Sequence, residues 1–209
     1  YIDDLTFVDA TDLLTPFPGR IVPEYSPVDL STLGYPHTLK DFFDGLEGND
    51  YHGVNSEGAS DLASISQTLS SVEYYTSPAL ELDYDVTGAE SYAFYFNTME
   101  VNSDKEYLSV FMKAGANNPV KVKMEFHDVN WPNDGSAYIY LTGIKSSEWQ
   151  QWLVPIDASK FTIVTPNFDE TQIKEVVITL ENEKASDDAG TLYIDDLTFV
   201  DATDLLTPF

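Results

Sequence analysis

The stretch VKVKMEFH, residues 120–127, alternates apolar and polar side chains at every position. Successive side chains of a β-strand point to opposite faces of a sheet, so this alternation predicts a strand with one buried face and one outward face. The predicted buried set is Val120, Val122, Met124 and Phe126, and the outward set is Lys121, Lys123, Glu125 and His127. The same period of two recurs in residues 79–86, 92–97, 107–113, 137–142, 152–156, 173–180 and 192–200.

Residues that favour turns separate these runs, and no long amphipathic helix interrupts them. Glycine, proline, asparagine and aspartate, which favour tight turns, recur between the strands. The turn segments are residues 87–88, 116–119, 133–135 and 187–190. Residues 169–174 have room for one short helical turn. Many short strands joined by turns predict an all-β fold, a two-sheet antiparallel β-sandwich of the jelly-roll type.

The charge of the chain limits its partners. Among 209 residues, 36 are acidic and 10 are basic, which gives a formal net charge of −26. A surface this negative repels nucleic acid and anionic membranes, so we expect neither as a partner. Two interpretations of the acidity stay open: a solvated acidic surface, and sites that bind Ca²⁺.

The motifs of common catalytic sites are absent from the sequence. Cysteine does not occur, which excludes disulfides, zinc thiolates and thiol nucleophiles. His37, His52 and His127 lie far apart, without metal-ligand spacing, and no nucleophile-elbow, Walker or dinucleotide motif is found. No apolar run reaches the length that spans a bilayer, so we expect no membrane insertion. We also expect that the protein is not an enzyme.

The two ends of the chain carry the same 17 residues. YIDDLTFVDATDLLTPF occupies residues 1–17 and again residues 193–209, an offset of 193 − 1 = 192. Self-similarity at a fixed spacing is the signature of repeat proteins. The identity therefore predicts tandem modules within a longer protein; the alternative is a deliberate duplication of one end.

The duplication divides the chain into four predicted parts. Residues 1–8 are the closing strand of a preceding module, 9–36 a Pro-rich linker, 37–201 the β-sandwich domain, and 202–209 the start of the next linker. Proline fixes φ and removes a donor, so we expect an extended, semi-rigid linker that docks on a domain surface. A closing strand cut from its sheet needs other partners, which predicts strand addition to a neighbouring copy. The side chains of this assembly strand are Tyr1, Ile2, Leu5, Phe7 and Val8.

Three segments together resemble a known family. They are LKDFFDG at residues 39–45, SEWQQWLVPID at 147–157, and the pair IKEVVIT at 173–179 and GTLYIDDLTF at 190–199. In order and spacing they are similar to the first strand, a tryptophan-led strand and the last two strands of the galactose-binding-like jelly rolls of carbohydrate-binding modules. The resemblance covers about residues 37–201 and points to the fold more than to a ligand, since such folds host many functions.

The resemblance implies a structural Ca²⁺ ion between the first and the final strand, bound by hard oxygen ligands. The matching positions are Asp44 and Asp195, with Asp41 or Asp196 close by. Phe43 stands where the family often has glutamate, so one carboxylate of the pattern is missing. In the alternative interpretation, Asp195 and Asp196 only solvate the end of a strand.

The resemblance also implies that sugar rings stack on outward aromatic side chains ringed by polar groups. Trp131, in the loop between residues 127 and 135, is the best single candidate for a stacking platform. The other candidates for carbohydrate binding are Tyr95, Glu125, His127, Tyr138 and Tyr140. In the alternative interpretation, Tyr138 and Tyr140 only cover the second sheet.

Two functions follow from these patterns. The first is a non-catalytic repeat module of a large extracellular or cell-surface fibre or adhesin-like protein, which assembles through linker docking and strand addition with neighbouring copies. The alternative is a carbohydrate-binding module that recognises a polysaccharide through its surface aromatics. The duplicated 17 residues favour the first, and the family resemblance favours the second.

Overall fold

The alternating runs form antiparallel strands in the computed structural model of the protein, which describes residues 20–21, 52–57, 63–74, 77–87, 90–102, 105–117, 121–182 and 188–201. The strands are β1 (Arg20–Ile21), β2 (His52–Glu57), β3 (Ser64–Tyr74), β4 (Ser77–Asp85), β5 (Tyr92–Asn102), β6 (Tyr107–Ala114), β7 (Lys121–Asp128), β8 (Ser136–Thr142), β9 (Gln150–Pro155), β10 (Ile163–Val164), β11 (Ile173–Glu181) and β12 (Ala189–Val200). A 3₁₀ turn, Glu170–Gln172, lies where the sequence predicts a short helical turn.

The strands form two six-stranded sheets. The first sheet has the order β1-β9-β6-β12-β4-β3, and the second has the order β10-β8-β7-β11-β5-β2. Consecutive strands often belong to different sheets, as the connection from β5 to β6 and on to β7 illustrates. The predicted all-β, two-sheet antiparallel β-sandwich is confirmed.

The core lies between the sheets and takes buried apolar side chains from β4 to β9, β11 and β12. In β7, Val122, Met124 and Phe126 are fully buried, as the alternation predicts. Removing such apolar area from water is the main favourable contribution to folding, about 25 cal/mol per Å². At one end of the core the Phe126 ring packs against Phe161, with ring centroids 5.2 Å apart. Phe161 meets Phe168 edge to face at 5.7 Å.

The predicted closing strand lies in the middle of the first sheet. Tyr193–Val200 belongs to β12, which pairs with β4 on one side and with β6 on the other. The register with β6 is irregular between Asp195 and Thr198, where Asp196 has a positive φ of 47°. The identical residues 1–8 and the start of the next linker, 202–209, lie outside the described residues.

Only two residues of the predicted linker are described. Arg20 and Ile21 form β1, which pairs with Gln151 and Gln150 at the edge of the first sheet. The rest of the linker, and with it the assembly strand, lies outside the described residues, so both stay predictions. The described part of the chain contains no helix long and apolar enough to cross a membrane.

Tyr84 makes the stability of this fold sensitive to alkali. Burial of the side chain, and secondarily the Asp188 carboxylate, raises the pKa of Tyr84 from 10.0 to about 12. Because the pKa is higher in the folded than in the unfolded chain, this stabilisation is complete below pH 10 and is lost as the pH rises towards 12. We expect the loss to reach about 2–3 kcal/mol of unfolding free energy.

Urea denaturation across this pH range measures the effect. Tyr84→Phe removes the ionising hydroxyl, so its stability should fall less steeply with pH than that of the wild type. The pKa values of Tyr107 and Tyr193 are also raised by burial, but both residues are present in both proteins and cancel in the comparison. Parallel pH profiles for the two proteins would contradict the assignment to Tyr84.

Candidate functional site

The face of the second sheet that points away from the core, here called the outer face, combines aromatic and charged side chains. Because β7, β8, β5 and β11 pair in a fixed antiparallel register, their outward residues lie side by side. The outward residues are Tyr138 and Tyr140 of β8, Lys121, Lys123, Glu125 and His127 of β7, Glu175, Val177, Thr179 and Glu181 of β11, and Tyr92, Phe94 and Phe96 of β5.

A charged network crosses the middle of the outer face. The Lys123 ammonium lies 2.9 Å from Glu125 Oε1 and 3.5 Å from Glu181 Oε1. Thr179 Oγ1 donates to Glu125 Oε1 at 3.0 Å, and the Tyr140 hydroxyl donates to Glu181 Oε2 at 3.1 Å. These contacts hold the carboxylates of Glu125 and Glu181 in fixed positions. Their remaining oxygen lone pairs can accept further hydrogen bonds.

Two tyrosines form an aromatic pair beside this network. The rings of Tyr138 and Tyr140 are 5.4 Å apart and meet edge to face at 73°. The ammonium of Lys121 lies 4.0 Å from the centre of the Tyr140 ring, and that of Lys123 lies 4.7 Å from the centre of the Tyr138 ring. Both distances are within the range of cation–π attraction, which restrains the rings on the half-buried face.

Trp131 lies over the end of the outer face. Its indole is nearly parallel to the imidazole of His127, with ring centroids 3.9 Å apart and an interplanar angle of 8°. Trp131 is nevertheless 41% exposed, whereas His127 beneath it is 7% exposed. One face of the indole is therefore covered, and a large aromatic surface stays accessible to a ligand.

His127 in turn contacts a carboxylate of the neighbouring strand. Its Nδ1 lies 2.6 Å from Glu175 Oε1, and the two residues are directly opposite each other in β7 and β11. A carboxylate only accepts, so Nδ1 carries the hydrogen. The other ring nitrogen, Nε2, is buried without a hydrogen-bond partner.

A buried carboxylate anchors the loop 128–135 that carries Trp131, here called the Trp131 loop. Asp128 is fully buried and accepts hydrogen bonds from the backbone N–H and side-chain amide of Asn130, at 2.6 and 3.1 Å, and from the backbone N–H of Asp169 at 2.6 Å. Burying a charge is costly unless several donors satisfy it, and here three do so. The same bonds tie the loop to the segment before the 3₁₀ turn.

Further hydrogen bonds fix the rest of the Trp131 loop. Asn130 Nδ2 also donates to the Asn167 carbonyl at 3.1 Å, and the backbone N–H of Trp131 donates to the Asp128 carbonyl at 3.2 Å. At the far end, the Thr165 hydroxyl contacts the carbonyls of Asp134 and Ser136. The Trp131–Pro132 peptide bond is cis. The loop thus presents Trp131 from a fixed backbone.

The structure brings five of the six predicted carbohydrate-binding residues to this one face. Glu125 pairs directly with Tyr138 across β7 and β8, and Tyr140 and His127 lie on either side of that pair. Trp131 joins them through its stack on His127. His127 differs from the expectation of an exposed group, because the Trp131 loop folds back over it.

The sixth expectation, that Tyr95 faces outward, is wrong. Tyr95 is 2% exposed and belongs to the core, where its hydroxyl accepts from Asn97 Nδ2 at 3.2 Å. Pairing of Tyr95 with the buried Ile178 of β11 sets this direction. The outward residues of the strand are its neighbours Phe94 and Phe96.

The outward aromatic side chains of β5 are not among the residues predicted from the sequence. Tyr92 and Phe94 are stacked with centroids 6.2 Å apart, and Phe94 and Phe96 are 6.4 Å apart, so a half-buried aromatic row runs along the outer face. Residues 92–96 are all apolar or aromatic, so alternation alone does not distinguish the two faces. One signal in the sequence is that Phe94 and Phe96, the two phenylalanines of this stretch, share one face of the strand, whereas Tyr95 lies on the other face.

Only part of the predicted Ca²⁺ site lies within the described residues. Asp195 is fully buried in β12, and its Oδ1 accepts from the backbone N–H of Asp196 at 2.8 Å. Asp41 and Asp44 lie outside the described residues. Within the described ranges, no group of three or more histidine, aspartate or glutamate residues is arranged to hold a metal. A buried carboxylate suits a cation, but one carboxylate is not a site, so Ca²⁺ stays a prediction.

Comparison with known proteins supports the fold. No protein-family model matches the sequence, and no curated protein matches it. Among solved structures, the chain is similar to the family 11 carbohydrate-binding module of a cellulosomal cellulase of Clostridium thermocellum, with a TM-score of 0.57 and 19% identity over 78% of this chain and 94% of that chain.

Two further structures give the same result. A family 11 module from Clostridium thermocellum, in complex with a β-1,3-1,4-mixed-linked tetrasaccharide, has a TM-score of 0.53 and 19% identity over 72% of this chain and 89% of that one. An exo-β-agarase has a TM-score of 0.51 and 11% identity, and 75% of this chain matches 24% of that enzyme. At these identities the likeness is one of fold.

Gly135→Ala should loosen the Trp131 loop. A Cβ at this position would lie 2.0 Å from Asp128 Oδ1 and 2.6 Å from the backbone nitrogen of Trp131, so Asp128 must give up hydrogen bonds to make room. We expect the unfolding free energy to fall by about 2–4 kcal/mol, because a buried charge loses its donors. Denaturation measures the loss, and tryptophan emission reports the loop.

Gly143→Ala is the matched control. Gly143 has a φ of +84° with open space around it, so alanine there tests backbone strain alone, about 1–2 kcal/mol. This variant should leave the emission of Trp131 unchanged. Equal emission spectra for both variants would show that Gly135 does not support the loop.

Proposed function

We propose that the chain is a non-catalytic carbohydrate-binding module that recognises a polysaccharide with the outer face of its second sheet. The observation that carries the proposal is the exposed Trp131, held over the end of this face by a loop anchored on Asp128. A large apolar side chain presented from a rigid loop has no role in the core. It is suited to a ligand that offers a flat apolar surface.

Sugar rings combine such a surface with a rim of hydroxyl groups. The outer face offers both kinds of partner: rings from Trp131 and Tyr138 for stacking, and Glu125, Glu181 and Lys123 for hydrogen bonds. Binding sites typically join aromatic area with a few fixed polar groups, because the former supplies affinity and the latter orientation. The structural likeness to carbohydrate-binding modules supports the same proposal.

The arrangement suits a chain of sugars better than a single sugar. Tyr138, Glu125, Val177 and Phe96 form one row across four neighbouring strands, and all but the buried Val177 are partly exposed. With a strand spacing of about 4.8 Å, the three steps of this row span roughly 14 Å. That length exceeds one pyranose ring, so several consecutive units of a polysaccharide would contact the face.

The charge of the protein favours a neutral polysaccharide. A net charge of −26 repels sulfated and carboxylated chains, and the two lysines of the outer face are already near carboxylates or tyrosine rings. The similar module from Clostridium thermocellum was solved with a β-1,3-1,4-mixed-linked tetrasaccharide. Mixed-linked β-glucan is therefore the first ligand to test.

Trp131→Ala tests the proposal. Calorimetric titration of the wild type with mixed-linked β-glucan and other neutral polysaccharides should show binding, and the variant should bind about 10- to 30-fold more weakly, the usual effect of removing a tryptophan that dominates a binding site. Val129→Ala is the matched control, because Val129 lies in the same loop and is 47% exposed. It should bind as the wild type does.

Two results would contradict the proposal. One is the absence of binding to every neutral polysaccharide by a folded wild-type protein. The other is an affinity that Trp131→Ala and Val129→Ala leave equally unchanged. Stronger binding to sulfated or carboxylated polysaccharides would instead overturn the assignment of a neutral ligand.

We further propose that this module is one of a series in an extracellular or cell-surface protein. The 17 identical residues at the two ends support a repeat, and the second copy forms much of a central strand, so the first copy has the sequence of a central strand too. Pairing of Arg20 and Ile21 with β9 supports docking of the linker on the sandwich. Neighbouring copies are then the partners, through linker docking and strand addition.

Sequencing the coding region on both sides of this chain tests the series. Further copies of YIDDLTFVDATDLLTPF should follow at spacings near 193 − 1 = 192 residues, each preceded by a sandwich domain. Flanking sequence without another copy would contradict the series. It would leave carbohydrate binding by the single module unaffected.

A further inference from the structure

The stack of Trp131 on His127 is close enough to determine how the indole is presented. The two rings are within 8° of parallel, and their centroids are 3.9 Å apart. At this separation the imidazole is in van der Waals contact with one face of the indole. The exposed 41% of Trp131 therefore belongs mainly to the opposite face and the ring edges.

The imidazole itself does not rotate freely. His127 Nδ1 donates to Glu175 Oε1 at 2.6 Å, a short hydrogen bond to a charged acceptor. His127 and Glu175 project from paired positions of β7 and β11, so the sheet fixes both backbones. The orientation of the imidazole plane, and with it that of the indole, is thus tied to the second sheet.

Stability alone does not account for a histidine at this position. Its Nε2 atom is buried without a hydrogen-bond partner, and burying an unsatisfied acceptor destabilises a fold. An apolar ring would cover the same surface without that cost. The arrangement is explained when His127 supports Trp131 while Glu175 sets its angle.

Two residues together fix the position of Trp131: Asp128 restrains the backbone of the loop, and His127 restrains the indole ring. The hydrogen bonds of Asp128 fix the backbone of the loop through Asn130 and Asp169, and none of them reaches the indole ring. The backbone position alone leaves the rotamer of Trp131 open. The imidazole supplies the missing restraint from the opposite side.

We infer that His127 is a positioning residue, which with Glu175 holds one face of Trp131 so that the other face is presented to a sugar ring. This inference rests on the proposed function for the identity of the ligand, but not for the support of the indole. Holding a side chain in its bound orientation raises affinity, because the entropy of ordering it is not lost on binding.

Quenching of Trp131 emission by acrylamide tests the support without any ligand. The emission of Trp131 is obtained by subtracting, for each protein, the emission of the same protein carrying Trp131→Phe. This subtraction removes the emission of Trp149 and Trp152. His127→Ala should raise the quenching constant about twofold, because both faces of the indole become accessible. His127→Phe keeps a flat ring for stacking but loses the hydrogen bond to Glu175, so its quenching constant should lie between those of the wild type and His127→Ala.

Binding is measured on the same proteins with mixed-linked β-glucan. His127→Ala should weaken binding about 2- to 12-fold, the effect of having to order one side chain on binding, and His127→Phe, which keeps the ring but not the bond to Glu175, should weaken binding less. Unfolding curves of each variant are measured first, and binding is then measured at a temperature at which every variant is fully folded. His127→Phe keeps the inference testable if His127→Ala is too unstable to measure.

An unchanged quenching constant in His127→Ala would overturn the inference, and so would equal increases in His127→Ala and His127→Phe. Weaker binding of Trp131→Ala with unchanged binding of His127→Ala would also overturn it. A wild type that binds no polysaccharide would remove the proposed function instead. The quenching constants would then still decide whether His127 supports Trp131.

Discussion

The alternation of side chains in the second sheet is the constraint on which the outer face depends. Burial of Met124 and Phe126 in the core forces Glu125 and His127 to the other side of β7. A slip of one residue would bury these polar groups and expose the apolar ones. The same burial that stabilises the sandwich therefore fixes the positions of the side chains that we assign to ligand binding.

The loop above this face follows a different physical rule. A fully buried carboxylate, Asp128, organises it, and its three hydrogen bonds offset the loss of hydration. Such a group holds its donors firmly, because any movement leaves a charge without partners in a medium of low dielectric. An exposed Trp131 on an anchored loop is therefore a preorganised surface, which binds with less loss of conformational entropy than a mobile one.

The outer face is nearly balanced in charge on a strongly acidic protein. Lys123 lies between Glu125 and Glu181, and Lys121 lies over the ring of Tyr140. The elements of the face thus hold each other by attraction rather than by apolar contact alone. A neutral ligand with many hydroxyl groups finds donors and acceptors there without meeting a large unpaired charge, which is the chemistry of the proposed polysaccharide.

Local pattern determined the fold class, the burial of β7, the strand Tyr193–Val200 and the outward direction of the candidate residues Glu125, His127, Tyr138 and Tyr140, because period-two alternation is a property of each strand by itself. Pairing between distant segments decided the rest. The aromatic run of β5 fits either face, and only its register against Ile178 places Tyr95 inside. The cover over His127 comes from a loop that turns back within four residues, and one of the three donors to Asp128, the backbone N–H of Asp169, is 41 residues away; alternation along a strand encodes neither contact.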